Sequence, residues 1–106
     1  MIAPRRFLPS INALLAFEAV ARLGSATQAA LELSLTQSAI SRQLKTLEEQ
    51  LGVGLMDRQG RQLVLTEAGK SYVIQVREIL NRLAQASISA RTNPMAGAGP
   101  ARPICT

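Results

Sequence analysis

The chain has 106 residues, enough for one small domain, and 47% of them are hydrophobic while only 3% are aromatic. A core of Leu, Ile, Val and Ala favours helices over a β-sandwich. The 12 Lys and Arg residues against 7 Asp and Glu give a net charge of +5. This balance fits a nucleic-acid partner, although many domains without one carry a similar excess.

The sequence contains no histidine, and its single cysteine is Cys105. A zinc site of the finger type needs several Cys or His ligands, so we expect neither a metal nor another cofactor. One cysteine cannot form an internal disulfide, which suits a reducing compartment. Because no apolar run reaches the ~18–20 residues of a membrane span and MIAPRRFLPS resembles no signal peptide, we predict a cytoplasmic protein without a membrane partner.

Two short helices are predicted first. Ser10 can cap a helix over Ile11–Leu23, which Gly24 would end. Ser25 and Gln28 have the spacing of a capping box at the start of the second helix. A turn at residues 34–35 would follow, and we expect its leucine to fill the gap beneath it.

A third helix is predicted from Thr36, as its cap, to a stop at Gly52. One face carries an aliphatic stripe at helical spacing, formed by Ile40, Leu44, Leu47 and Leu51. The opposite face, called the donor face below, consists of Gln37, Ser38, Ser41, Arg42 and Lys45. Every side chain of the donor face can donate hydrogen bonds and none is acidic. Such a face suits the major groove of DNA, although an ordinary solvated helix face could have the same residue composition.

A β-hairpin is predicted next, with short strands over residues 55–58 and 62–65 and a connection at Gln59-Gly60-Arg61. Arg58 and Arg61 would make its tip basic. Beside a helix-turn-helix, such a hairpin would act as a wing that reaches the sugar-phosphate backbone. The acidic residues Glu48, Glu49, Asp57 and Glu78 are interpreted as solvated charges or intrachain pairs of small energy.

A last helix is predicted from Glu67, capped by Thr66, to about Ala90. Its apolar residues follow a heptad spacing, and the heptad stripe comprises Tyr72, Val76, Ile79, Leu83, Ala86 and Ala90. Three short helices cannot cover so long a stripe, so we expect Tyr72 to Ala86 to form a dimer interface. The alternative is that the stripe packs on the first helix of its own chain, and we favour this for the side of the last helix that carries Val73 and Leu80.

This order of elements resembles the N-terminal DNA-binding region of LysR-type bacterial transcriptional regulators, over roughly residues 9 to 90. The residues that carry the resemblance are Phe17, Val20, Ala21, Gly24, Ser25, Ala29, Ala30, Leu33, Thr36, Gln37, Ser41, Arg42, Gln43, Leu47, Glu48, Leu51, Gly52, Leu55, Arg58 and the run from Leu65 to Gly69. The resemblance implies that the helix-turn-helix enters the major groove, that the wing touches the backbone and that the long helix pairs two copies.

We therefore predict a mainly α fold, a winged helix-turn-helix with a three-helix core, a short two-stranded hairpin and a long C-terminal dimerisation helix. The predicted divisions are a flexible lead-in at 1–8, the winged domain at 9–66, the dimerisation helix at 67–90 and a disordered tail at 91–106. The predicted DNA-contact residues are Thr36, Gln37, Ser38, Ser41, Arg42, Lys45, Arg58 and Arg61.

The predicted partners are a second copy of the chain and double-stranded DNA, as an imperfect inverted repeat in a promoter. In the LysR family a metabolite-sensing domain follows the long helix, and MAGAGPARPICT does not resemble its first strand. We therefore expect no small-molecule site in this chain.

Two other classes of function remain open. The long helix could pair with a full-length relative, so that the short chain acts as a competitor that senses no metabolite. An enzyme is disfavoured because the sequence has no histidine, no plausible cysteine nucleophile, no cluster of carboxylates and no strand–loop–helix phosphate motif.

Overall fold

The computed structural model describes residues 8–92. Within them, the order of elements is α1 (Ile11–Leu23), α2 (Ala26–Leu33), α3 (Gln37–Leu51), β1 (Met56–Gln59), β2 (Gln62–Leu65) and α4 (Glu67–Thr92). The two strands form an antiparallel hairpin. This architecture confirms the predicted fold class. Residues 1–7 of the expected lead-in (1–8) and residues 93–106 of the expected tail (91–106) lie outside the described residues.

The starts of the first three helices are fixed by side-chain caps. The hydroxyl groups of Ser10, Ser25 and Thr36 each accept a hydrogen bond from the backbone N–H three residues further on, at 3.1, 3.2 and 3.0 Å. These bonds satisfy amides that would otherwise lack a partner in the first turn. Gly24 and Gly52 end α1 and α3 with φ angles of +70° and +77°, the left-handed conformation that glycine adopts without strain. The predicted Ser, Thr and Gly caps are therefore confirmed, but only half of the predicted capping box forms, because within residues 8–92 the Gln28 side chain makes no bond back to Ser25.

The core is organised around α1, which packs against α2, α3 and α4. Phe17 is fully buried, and its ring lies 5.7 Å from that of Tyr72 on α4. Alanines on α1 and α2 allow these two helices to approach closely. The buried residues are Ala13, Leu14, Ala16, Phe17, Ala19, Val20, Ala29, Ala30, Ile40, Leu44, Leu47, Leu55, Val73 and Val76. The aliphatic stripe of α3 thus faces inward as predicted, with Leu51 half-buried at its end.

The turn between α2 and α3 differs from the prediction. Leu35 is 44% exposed and lines a surface cleft with Leu15 and Leu33, so its predicted place beneath the turn is wrong. The turn is closed by the backbone instead, because the N–H of Leu35 donates to the carbonyl of Ala30 at 2.8 Å.

The first strand of the hairpin is shifted by one residue from the prediction, whereas the second lies at Gln62–Leu65 as predicted. Gln59 pairs with Gln62, so the connection has two residues, Gly60 and Arg61, instead of three. Gly60 has a φ of +60° and Arg61 has a negative one, which is the pattern of a type II′ turn. Leu55 belongs to the approach to β1 and not to the strand. Its side chain is only 1% exposed.

Helix α4 is longer than predicted. It continues through Arg91 and Thr92, which the sequence assigned to a disordered tail. Its first half lies on α1 and on the hairpin, whereas every residue from Asn81 to Thr92 is exposed. Among residues 8–92, none of the helices combines the length and the apolarity that crossing a membrane requires.

Four charged side chains tie α4 and α2 to α1 at the surface. The carboxylate of Glu18 accepts hydrogen bonds from Arg22 and from Arg77 of α4, at 3.2 Å in each case. Arg22 also donates to both carboxylate oxygens of Glu32 on α2. These bonds lower the pKa of the Glu32 carboxyl and raise the pKa of the Arg22 guanidinium. The network lies where α4 leaves the core, so it supports the direction in which α4 projects.

Glu48 anchors the hairpin to α3. This residue was interpreted from the sequence as a solvated or paired charge, and its anchoring role was not predicted. Its Oε2 accepts the backbone N–H groups of Leu55 and Met56, at 2.6 and 3.1 Å. On the other strand, the N–H of Leu63 donates to the carbonyl of Gly24 at 3.1 Å. Both strands are therefore fixed relative to the helices, and the hairpin keeps a set position beside α3.

Gly69 allows α4 to start against the approach to the hairpin. Thr66 caps α4 by accepting from the N–H of Gly69 at 3.0 Å, and its hydroxyl donates to the carbonyl of Gly54 at 2.7 Å. A Cβ on Gly69 would lie 2.1 Å from the carbonyl oxygen of Leu55. That separation is far below van der Waals contact, so only glycine fits this position without a backbone shift.

We expect Gly69→Ala to lower the free energy of unfolding by about 1–3 kcal/mol, because backbone displacement outweighs the gain in helix propensity. Gly54→Ala is the matched control, since a Cβ there would meet only the Glu48 carboxylate, at 3.9 Å. Its change should stay within about 0.5 kcal/mol. Denaturant unfolding followed by circular dichroism measures both variants. Equal losses would contradict the close approach at Gly69.

We expect Glu48→Ala to cost about 1–3 kcal/mol of unfolding free energy, because two backbone N–H groups lose their acceptor. The amide of Leu55 should also exchange its hydrogen faster. Glu49→Ala is the matched control, since Glu49 is exposed and accepts no hydrogen bond within residues 8–92. Glu48→Gln keeps an oxygen at this position and should recover most of the loss. An unchanged exchange rate at Leu55 in Glu48→Ala would contradict the anchor.

Candidate nucleic-acid interface

The donor face of α3 lies entirely in solvent. Gln37, Ser38, Ser41, Arg42 and Lys45 are all exposed, while the aliphatic stripe on the other side of the helix is buried. The separation follows from the helical period, because residues three and four apart share a face. Within residues 8–92, neither Arg42 nor Lys45 forms an ion pair. The five side chains therefore form one continuous surface of hydrogen-bond donors.

The exposed N-terminus of α3 adjoins the donor face. Thr36 is exposed, and its hydroxyl oxygen is engaged by the N–H of Ala39. The first amides of a helix carry partial positive charge and bind anions such as phosphate. Gln37 is held from α2, because the hydroxyl of Thr27 donates to its Oε1 at 3.1 Å. This end of α3 therefore combines a fixed amide side chain with a weakly positive backbone.

The hairpin provides a second basic surface. Arg58 in β1 and Arg61 in the turn are both exposed, and within residues 8–92 neither forms an ion pair. Glu48 joins this hairpin to α3, so the arginines and the donor face belong to one rigid body. The exposed position of both arginines was predicted from the basic hairpin tip. The role of Glu48 was not predicted, because its partners are backbone amides, which leave no pattern in the sequence.

The heptad stripe divides into two parts. Val76 is fully buried in the core of its own chain, so its predicted place in a dimer interface is wrong. Tyr72 is half-buried against Phe17, and this burial raises the pKa of its phenol. Ile79 and Leu83 are 48% and 45% exposed. The prediction failed at Val76 because α1 covers the first two turns of the stripe. A heptad spacing alone does not distinguish packing within the chain from pairing with another chain.

The exposed part of the stripe forms an apolar groove on α4. Ile79, Leu83 and Ala86 line it, with Glu78 and Arg82 at its edge. These residues are continuous with the core through Leu80, which is half-buried. A contiguous apolar patch on a projecting helix is a surface that a binding partner commonly covers.

No group of three or more His, Cys, Asp or Glu side chains in the described part of the chain could hold a metal ion. The charged groups that face each other are Glu18, Arg22, Glu32, Arg77 and the exposed pair Glu67–Lys70. Each of these pairs joins neighbouring elements or turns of the surface.

Comparison with known proteins places the chain in a family. Residues 11–70 match the model of the "Bacterial regulatory helix-turn-helix protein, lysR family". The glycine cleavage system transcriptional activator of Escherichia coli (strain K12) is 45% identical over 91 residues, which cover 86% of this chain and 30% of that protein. The chain thus spans about a third of the length of this relative.

Two solved structures have the same fold. The CbnR_DBD–DNA complex has a TM-score of 0.73 and 35% identity, and the match covers 77% of this chain and 94% of that one. The complex of BenM_DBD with benA site 1 DNA has a TM-score of 0.72 and 32% identity, covering 77% and 96%. The fold agrees with the match over residues 11–70, because the helices are capped, the donor face points outward and the hairpin is basic. The chain belongs to the lysR family of bacterial regulatory helix-turn-helix proteins.

Proposed function

We propose that this chain binds double-stranded DNA sequence-specifically, as a dimer, and serves as the DNA-binding part of a bacterial transcriptional regulator. The observation that supports it most directly is the donor face of α3, which is exposed along its whole length and opposite a buried stripe. DNA-bound structures of the same fold add support. The relatives are regulators of transcription, which favours a regulatory role over an enzymatic one.

Helix α3 is the recognition element in this proposal. Arginine can pair with the O6 and N7 atoms of guanine, a glutamine whose oxygen and nitrogen both face the base can pair with adenine, and serine can bind bases or phosphates. Arg42, Ser41, Ser38 and Gln37 lie near the N-terminal half of α3, which is the part of a recognition helix that meets base edges. Lys45 lies one turn further along and is assigned to a phosphate. The unbonded backbone amides of the first turn of α3, next to Thr36, would bind a second phosphate.

The hairpin contributes sequence-independent affinity. Arg58 and Arg61 project from the wing beside α3 and can neutralise phosphates of the same duplex. Each phosphate that a protein neutralises adds about 0.9 to the slope of log affinity against log salt. The wing would therefore set affinity and orientation, while α3 reads sequence.

A second copy of the chain is the proposed partner of the apolar groove on α4. Two copies paired through Ile79, Leu83 and Ala86 would present two recognition helices related by two-fold symmetry. A symmetric pair fits an imperfect inverted repeat whose half-sites lie about 34–36 Å apart or a multiple of this distance. We also propose that the protein acts in the cytoplasm, where a bacterial promoter is accessible.

We expect Arg42→Ala to lower affinity for the preferred sequence by roughly 5- to 150-fold, which is the loss of one bidentate base contact of about 1–3 kcal/mol. The preferred sequence is first selected from random duplexes with the unmodified chain. Gel-shift titration then gives the affinity, and circular dichroism checks the fold. Binding to unrelated duplex should fall much less.

Arg91→Ala is the matched control, because Arg91 is an exposed arginine near the far end of α4. It should leave the gel shift unchanged. Arg61→Ala should instead weaken all sequences alike and reduce the salt slope by about 0.9. If Arg42→Ala binds the selected sequence as well as the unmodified chain, Arg42 makes no base contact.

We expect Leu83→Lys to convert the dimer into a monomer, since two charges would be buried in the centre of the groove. Sedimentation equilibrium measures the mass. Ile88→Lys is the matched control, because Ile88 is 60% exposed but lies on another side of α4. It should sediment as the unmodified chain does. A Leu83→Lys variant that remains dimeric would place the interface elsewhere.

A further inference from the structure

One hydrogen bond joins the two helices of the helix-turn-helix at their solvent side. Thr27 in the first turn of α2 donates from its hydroxyl to the Oε1 of Gln37, the first residue of α3, at 3.1 Å. Neither side chain caps a helix, because Ser25 and Thr36 already do so. Both residues are exposed. Helix capping and core packing therefore do not explain this bond.

The bond limits what the Gln37 amide can offer a ligand. A glutamine side chain has one acceptor oxygen, with two lone pairs in the amide plane, and two N–H donors. The bond from Thr27 occupies one lone pair and orients the oxygen toward α2. When the oxygen faces Thr27, the amide nitrogen lies on the other side of the planar group. Within residues 8–92 this nitrogen donates to no other group. A free glutamine can use its oxygen and nitrogen together, whereas this one presents mainly its two donors.

The bases differ in how well they match such a group. Guanine presents two acceptors in the major groove, N7 and O6, whereas adenine presents one acceptor, N7, and one donor, the N6 amino group. Pairing with both groups of adenine requires the glutamine oxygen to face the base. The bond to Thr27 turns that oxygen toward α2, so guanine becomes the better match.

We propose that Thr27 is a positioning residue for Gln37, which holds the amide so that its N–H groups face the groove and the base it reads is guanine rather than adenine. This inference rests on the proposed DNA binding through α3. It assigns to Thr27 an effect on base preference that is transmitted through Gln37 alone.

The test compares Thr27→Val with Thr27→Ser in the full chain. Valine has nearly the same shape but no hydroxyl, whereas serine retains the donor. Duplexes selected by the unmodified chain are varied one base pair at a time, and the position at which Gln37→Ala loses discrimination is the base that Gln37 reads. The unmodified chain should prefer guanine there. Thr27→Val should reduce the preference for guanine over adenine by roughly fivefold, the effect of one hydrogen bond, and Thr27→Ser should restore it.

A double variant separates positioning from direct contact. In the Gln37→Ala background, Thr27→Val should change neither affinity nor preference. If it lowers affinity for every sequence in that background, Thr27 binds phosphate itself and the inference is wrong. It is also wrong if Thr27→Val leaves the base preference unchanged, or if the unmodified chain prefers adenine at this position. An unmodified chain that binds no selected duplex would overturn the proposed function as well.

Discussion

The contact between the aliphatic stripe of α3 and the side of α1 determines which residues of α3 face the solvent. Ile40, Leu44 and Leu47 are buried there, and removing each side chain from water contributes about 1.5–3 kcal/mol. Rotating α3 about its axis would expose them, so the helix has a single favourable orientation. In that orientation, Ser41 and Arg42 face outward. The candidate site is therefore a consequence of core packing and requires no strained backbone.

The same packing determines where the other two surfaces lie. The hairpin is joined to α3 through Glu48 and to the end of α1 through the carbonyl of Gly24, so the strands that carry its arginines are positioned relative to the recognition helix. Helix α4 lies on α1 through Val73 and Val76, is joined to it by Arg77, and leaves the core after Leu80. A duplex bound at α3 and a partner chain bound on α4 would thus be held at a defined distance by one rigid body.

Small residues make this arrangement possible. Ala16 and Ala19 on α1 and Ala29 and Ala30 on α2 are all buried in the core. Gly69 allows the start of α4 to contact the backbone at Leu55. With an aromatic content of only 3%, the domain achieves its packing by close approach of helices more than by large side chains. Phe17, in contact with Tyr72, is the exception at the centre.

The sequence alone determined the features that depend on neighbouring residues. Caps such as Ser10 and Thr36 act over three residues, and the stripe of α3 repeats at the helical period, so both can be read without tertiary knowledge. The exposure of Arg42 followed from the same period. The spacing of basic residues around Gly60 likewise indicated a basic tip, although it misplaced the turn by one residue.

Tertiary structure decided the features that depend on distant partners. A heptad spacing is equally compatible with burial against α1 and with pairing to another chain, so only the fold showed that Val76 lies in the core. Glu48 bonds to backbone amides, which have no signature in the sequence. The Thr27–Gln37 bond joins two helices across a turn. Each of these depends on how the chain folds back on itself, and local periodicity carries no information about that.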